Sequence, residues 1–273
     1  MATRVEVTHP ESIHHSLLVE TWTLNETTVG VSFVILSYLA VVLWILPRFM
    51  KYREPYQLTN TLLFYNAFQV AFSAYAVFLY TRYMFNYGII TTRCPKGVDL
   101  HKVISEIWPY FIAKHVDLLD TVFIVLRKKD RQVTFLHVFH HALMITWVWF
   151  YLMFHPTDHF VAVGFANSFV HVLMYAYYGI SSLGPEYSKF IWWKKHLTKV
   201  QLVQFILVIM NLHYQQKTTP CPIPSAFHYF GLFCICSFFF LFIHFYVRNY
   251  SAIQKKKIDT INIGCNVDMH KMN

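Results

Sequence analysis

Charge is scarce in this chain. Asp, Glu, Lys and Arg supply 14% of its 273 residues, against 56% hydrophobic and 19% aromatic, and so thin a polar coat excludes an ordinary soluble domain, in which the apolar share is about half. The chain also lacks linkers, low-complexity tracts and internal repeats, and its longest loops run only about twenty residues, so it reads as one domain. No cleavable signal peptide is expected, because the first 28 residues are polar, with Glu6, Glu11, Glu20 and Glu26, and contain no apolar core. Gly and Pro breaks at mid-run, which mark the discontinuous helices of many transporters, are not evident either.

What the chain does contain is apolar runs. Seven are long enough to cross a hydrocarbon core at about 1.5 Å per residue: Val29 to Leu46, Thr61 to Phe85, Ile107 to Leu126, Val133 to Phe154, Phe160 to Leu183, Thr198 to Tyr214, the shortest, and Phe227 to Val247. The expected fold is therefore an all-α integral membrane protein with seven transmembrane helices: a tail over 1–28, a membrane domain over 29–247 and a basic tail over 248–273. Arg48, Lys51 and Arg53 follow the first run, Arg127, Lys128, Lys129 and Arg131 the third, Lys189, Lys194 and Lys195 the fifth, and Arg248 and Lys255 to Lys257 the last. The opposite loops hold only Arg93, Lys96, Lys102 and Lys217, so the N-terminus is expected in the lumen and the C-terminus in the cytosol. The net charge of +9 sits mostly at these cytosolic edges, which suits lipid headgroups and a soluble anion rather than nucleic acid. Of the five cysteines only Cys94 and Cys221 fall in lumenal loops, and these two are expected to pair; Cys234 and Cys236 lie inside the seventh run and Cys265 in the reduced cytosol.

Ionisable side chains inside a span cost a few kcal/mol each and call for a reason. His137, His140 and His141 open the fourth run at i, i+3 and i+4, one helix face. Asn167, His171, Tyr175 and Tyr178 form a second stripe on the fifth, and Lys114, Asp117 and Asp120 a third at i, i+3 and i+6. Helix rise places His140 and His171 on the order of 15 to 20 Å from the cytosolic edge on antiparallel spans, so they can meet. A lone histidine would be read as interhelical glue; three on one turn opposite a fourth point to chemistry. For Lys114, Asp117 and Asp120, mutual neutralisation and contact with substrate stay open as equal readings, and Gln201 and Gln204 serve equally well as glue.

Imidazole also binds metals. Membrane di-iron oxidases carry an HxxHH element together with further histidine boxes, whereas this chain has one box, and His115, His171, His213 and His244 are singletons on separate helices. No metal is expected. A seven-helix receptor or a transporter also fits the span count, but LRKK and FYVRNY stand where receptors of the large class have a D/E-R-Y-like triplet and NPxxY.

The runs KHVDLLDT (Lys114 to Thr121), RKKDRQVTFLHVFHH (Arg127 to His141), NSFVHVLMYAYYG (Asn167 to Gly179) and TKVQLVQ (Thr198 to Gln204) resemble the ELO family of very-long-chain fatty acid elongases from about Leu46 to Tyr250. Asp117 stands where members commonly have glutamate. The resemblance implies an acyltransferase of the endoplasmic reticulum membrane that condenses acyl-CoA with malonyl-CoA, needs no cofactor, and forms a 3-oxoacyl-CoA with release of carbon dioxide and CoA. It implies spans two to seven ringing an acyl-chain tunnel, with His140 as nucleophile through an acyl-imidazole, His171 facing it, and His137, His141 and Asn167 completing the catalytic group. Lys114, Arg127, Lys129, Gln132, Tyr177, Lys194, Thr198, Gln201 and Lys256 are the expected substrate contacts, and Asp117, Asp120, Tyr175, Tyr178 and Gln204 the supporting residues. A second copy of the chain and other enzymes of the elongation cycle are the expected protein partners.

Overall fold

The computed structural model describes residues 28–90 and 93–271, and the side chains of all of these but 188, 191, 194, 195 and 249–271. Regular structure among the described residues is entirely helical: α1 (Thr28–Met50), α2 (Thr59–Tyr87), α3 (Gly97–Val116), α4 (Leu118–Leu126), α5 (Phe135–Phe154), α6 (His159–Ser182), α7 (Lys194–Thr218) and α8 (Ser225–Lys271), with short 3-10 turns at Asp130–Gln132 and Pro185–Ile191. Six of these helices are long and apolar enough to cross a membrane, α7 from His196 to Thr218 and α8 from Ser225 to Arg248 among them. The run expected to be shortest, Thr198 to Tyr214, thus lies in a helix of 23 qualifying residues.

The third expected span is the exception. It is laid down as α3 followed by α4, and the charged residues of this stretch, Asp99, Lys102 and Glu106 ahead of the expected span and Lys114, Asp117 and Asp120 within it, keep it below the apolarity of the other six. Asp117 is the junction. Its N–H bonds Ala113 O at 2.9 Å while its carbonyl accepts from Asp120 N–H at 3.1 Å, a three-residue step that tightens the helix there. In α1 a π turn over Val41–Ile45 precedes Pro47; proline offers no N–H to the carbonyl four residues back and crowds it, and the wider turn absorbs the misfit. Thr134 starts α5 by accepting the His137 N–H on its hydroxyl at 3.2 Å, so the histidine turn begins at a capped end.

Six helices close a ring: α2 contacts α6, α6 contacts α7, α7 contacts α8, α8 contacts α5, α5 contacts α3, and α3 contacts α2. α1 stands outside it, against α4 and α5. The α2–α6 seam is the most extensive, and Gly164 lets it close, since a Cβ there would lie 2.7 Å from the Tyr80 ring. Large side chains with more than half their surface exposed, such as Phe33, Leu36, Phe64, Phe78 and Phe240, point away from the bundle as lipid-facing residues do. Inside, Tyr80, Ile107, Tyr110, Phe111, Ile145 and Val148 form a closely packed aromatic and aliphatic core. A small cavity lies beside it between α5, α6, α7 and α8, with Trp147, His159, Leu212, Phe227 and Gly231 in its wall. Cys94 and Cys221 form a disulfide with Cα atoms 5.8 Å apart, tying the α2–α3 loop to the α7–α8 loop across the same end of the ring.

Candidate active site

The turn at Asp117 delivers two side chains to the ring interior. Lys114 and Asp117, 4% and 2% exposed, are an ion pair with Nζ 2.8 Å from Oδ2. The other carboxylate oxygen, Oδ1, accepts from Gln69 Nε2 of α2 at 2.6 Å. The Tyr175 hydroxyl of α6 lies 2.9 Å from Asp117 Oδ1 and 2.8 Å from Asp120 Oδ2, and has one proton to give. His171, one turn before Tyr175, brings Nδ1 to 3.7 Å from Asp117 Oδ2, and both its ring nitrogens lie 3.4 Å from Lys114 Nζ. The ammonium also sits 4.8 Å from the centre of the Tyr110 ring. Asp117 is thus a buried hub whose partners come from three helices, which is the condition under which a charge is tolerated away from water.

One turn toward the α5–α6 end, the Tyr110 hydroxyl donates to Asn167 Oδ1 at 2.7 Å and orients that amide. The histidine turn of α5 forms the other wall. The His137 and His141 rings meet edge to face at 4.5 Å and the His140 and His141 rings at 5.7 Å. His140 packs on Phe238 and Phe242 of α8, with ring centres 4.7 Å and 6.3 Å away. His140 Nδ1 is buried with no hydrogen-bond partner among the described residues. A buried polar atom left unpaired is expensive and asks for a functional reason; in the tautomer that leaves the lone pair on Nδ1, that nitrogen can attack a polarised carbonyl. His140 and His171 both face the protein interior.

The residues expected to meet substrate spread from this centre toward the α4–α5 and α6–α7 connections. Arg127 is half-buried, whereas Lys129 and Gln132 are exposed. Tyr177 and Thr198 are buried, Gln204 is 8% exposed, and Gln201 Nε2 lies 4.0 Å from Met174 Sδ. Tyr178 is 43% exposed but still touches Tyr175 edge to face. The side chains of Lys194 and Lys256 lie outside the described residues. Among the described residues no three His, Cys, Asp and Glu side chains converge as metal ligands do.

Five residues of this network were not singled out by the sequence, among them Tyr38 and Thr121, whose hydroxyls lie 2.8 Å apart with Thr121 Oγ1 2.9 Å from His137 Nε2. Gln69 carried a visible signal, a polar side chain in an apolar run four residues after Tyr65, whose hydroxyl it bonds at 3.1 Å. Thr121 lies inside a motif already singled out. Tyr38, Tyr65 and Tyr110 carried none, since aromatic residues populate every span.

Comparison with known proteins places this arrangement. The profile of the ELO: GNS1/SUR4 family matches residues 23–258. The chain is 35% identical over 260 residues to very long chain fatty acid elongase 7 of Rattus norvegicus, covering 92% of each chain. It is 36% identical over 243 residues to very long chain fatty acid elongase 4 of Homo sapiens, covering 88% of this chain and 77% of the relative. Very long chain fatty acid elongase 7 of Drosophila melanogaster is 36% identical over 225 residues, 79% of this chain and 67% of the relative.

Proposed function

Because the chain belongs to the ELO: GNS1/SUR4 family, we propose that it is a condensing enzyme of fatty acid elongation that joins a long-chain acyl-CoA to malonyl-CoA through an acyl-imidazole on His140. The observation that supports the reading is the buried His140 nitrogen without a hydrogen-bond partner among the described residues, on the helix turn it shares with His137 and His141. His140 attacks the acyl thioester, the C–S bond breaks, and CoA leaves as its thiol with the N–H proton that the imidazole gives up on acylation. Malonyl-CoA then binds and loses carbon dioxide; the electron pair of that C–C bond becomes an enolate, which attacks the acyl carbon, forms 3-oxoacyl-CoA and expels His140, which regains a proton from solvent. Two steps let one CoA depart before the next arrives. His171 faces the nucleophile, and Lys114, Asn167 and His141 supply donors for the oxyanions, with His137 completing the histidine turn. Imidazole suffices for this chemistry, and CoA thioesters are its only small molecules.

In this reading α3 and α4 together cross the membrane as the third of seven spans, the N-terminus is lumenal and the C-terminus cytosolic, and the protein resides in the endoplasmic reticulum with the acyl chain inside the ring. The internal Lys114–Asp117 neutralisation supports insertion of so charged a helix. Arg127, Lys129, Gln132, Lys194 and Lys256 meet the CoA phosphates, with Tyr177, Thr198 and Gln201 along the approach. Some loss of water around its ammonium and then the Arg127 cation beside it lower the exposed Lys129 from its ordinary value; an anion between the two would relieve the second effect. A second copy of the chain and the enzymes acting before and after condensation are the proposed protein partners.

The test is a burst. Purified protein with acyl-CoA and no malonyl-CoA is expected to release about one CoA per site and stop, leaving an acyl adduct that peptide mapping places between Phe135 and Leu143. Absence of both CoA release and adduct until malonyl-CoA is added would sink the two-step mechanism. An adduct on Cys234 or Cys236 would move the nucleophile to α8.

A further inference from the structure

α1 stands outside the ring, yet one of its side chains is connected to the histidine turn inside. The Tyr38 hydroxyl lies 2.8 Å from Thr121 Oγ1, and the same oxygen lies 2.9 Å from His137 Nε2. The three groups come from α1, α4 and α5. Tyr38 is 6% exposed and Thr121 fully buried, so water does not compete for these bonds. A threonine hydroxyl has one proton and two lone pairs. Neither contact fixes its donor by geometry, but the phenol is the more acidic of the two hydroxyls and the better donor; in the resulting relay Tyr38 donates to Thr121, and Thr121 donates its own proton to His137. A ring nitrogen that accepts is the unprotonated one, so the relay selects the neutral His137 tautomer with its proton on Nδ1.

We propose that Tyr38 and Thr121 are positioning residues for the elongation reaction, fixing the rotamer and tautomer of His137 and thereby the histidine turn that carries His140. His137 is then held twice: its backbone N–H by the Thr134 hydroxyl at 3.2 Å and its ring by Thr121. Its ring in turn abuts His141 at 4.5 Å, the immediate neighbour of His140. Removing the hydroxyl frees the His137 ring to turn about its side-chain bonds, and the loss passes along the turn by packing. The outer helix acquires a task beyond membrane anchoring, and the threonine that closes KHVDLLDT acquires a role distinct from the charges before it. The inference rests on the reaction proposed above.

The experiment uses the full chain in detergent with acyl-CoA and malonyl-CoA. Thr121→Val keeps the shape and removes the hydrogen bonds; it is expected to lower kcat about tenfold, the worth of one buried hydrogen bond, with KM for both CoA substrates within about twofold. Thr121→Ser restores the hydroxyl and is expected to recover kcat to within about threefold. Tyr38→Phe is expected to give a smaller loss, and combined with Thr121→Val to add nothing, because both act through one chain. A Thr121→Val enzyme with wild-type kcat, a serine variant as slow as the valine variant, or losses that multiply in the double variant would each overturn the relay. Melting temperature is measured alongside, and should Thr121→Val not fold, the kcat of Tyr38→Phe decides alone: unchanged, it overturns the proposal. A wild-type chain that elongates nothing overturns the reaction and this inference together, whereas a wild type that elongates beside an equally fast Thr121→Val overturns only the relay.

Discussion

Asp117 concentrates the electrostatics of the interior at one residue. Its two oxygens take Lys114 at 2.8 Å, Gln69 at 2.6 Å and Tyr175 at 2.9 Å, and removing either charge alone strands the other. Lys114→Met and Asp117→Asn are each expected to cost about 3–5 kcal/mol of stability, the usual penalty for an uncompensated buried charge, read as a fall in detergent melting temperature. The double variant Lys114→Met with Asp117→Leu is expected to recover most of that stability while remaining inactive. If it recovers activity as well, the pair serves only to neutralise itself, the first of the two readings the sequence left open. His171→Ala is expected to slow the CoA burst without abolishing the adduct, since a facing imidazole assists attack but is not the attachment point.

At the scale of elements, two glycines mark where helices approach most closely, and their surroundings differ. A Cβ on Gly164 would lie 2.7 Å from the ring of Tyr80, which is fully buried and hemmed in between α2 and α6. A Cβ on Gly231 would also lie 2.7 Å from an aromatic ring, that of Trp147, but Trp147 borders a cavity into which it can shift. Overpacking commonly costs about 1–3 kcal/mol, and alanine regains up to about 1 kcal/mol of helix propensity. Gly164→Ala is therefore expected to destabilise the fold and Gly231→Ala to be close to neutral, as thermal unfolding of the two variants would show. Equal effects would mean that the α2–α6 seam is looser than the Gly164–Tyr80 contact indicates.

At the scale of the molecule, the ring is tied at one end and basic at the other. The Cys94–Cys221 bridge spans 127 residues of sequence, and a crosslink over so long a loop restricts the unfolded chain by about 4–5 kcal/mol in the chain-entropy account. Cys94→Ser, Cys221→Ser and the double variant are expected to melt at the same lowered temperature, because each removes the same bond; a double variant clearly worse than both singles would mean that the sulfurs contribute separately. At the opposite end Arg127→Ala and Lys129→Ala are expected to raise KM for the CoA substrates several-fold with a smaller effect on kcat. Added salt should raise the wild-type KM toward that of the variants, as screening of phosphate contacts requires.

The sequence by itself determined whatever depends on local periodicity. Apolar runs specified the helices, because the bilayer admits little else as a spanning structure. Spacings of three and four put His137, His140 and His141, Asn167, His171 and Tyr175, and Lys114 and Asp117 on shared faces. The Cys94–Cys221 disulfide was legible because these two cysteines alone fall in the loops that the positive-inside pattern groups together, and the structure joins them. Tertiary structure alone decided what those faces meet. Gln69 reaches Asp117 across 48 residues of sequence, Tyr175 across 58, and Tyr38 reaches Thr121 across 83. No local pattern encodes such contacts, since they follow from which helix packs beside which, and that choice is made by side-chain fit at seams such as Gly164 against Tyr80. The charges that interrupt the third apolar run read in sequence as a polar stripe on one helix face; in the folded protein they meet at the tight turn at Asp117 where residues from three helices converge, and only their convergence makes those charges tolerable inside the ring.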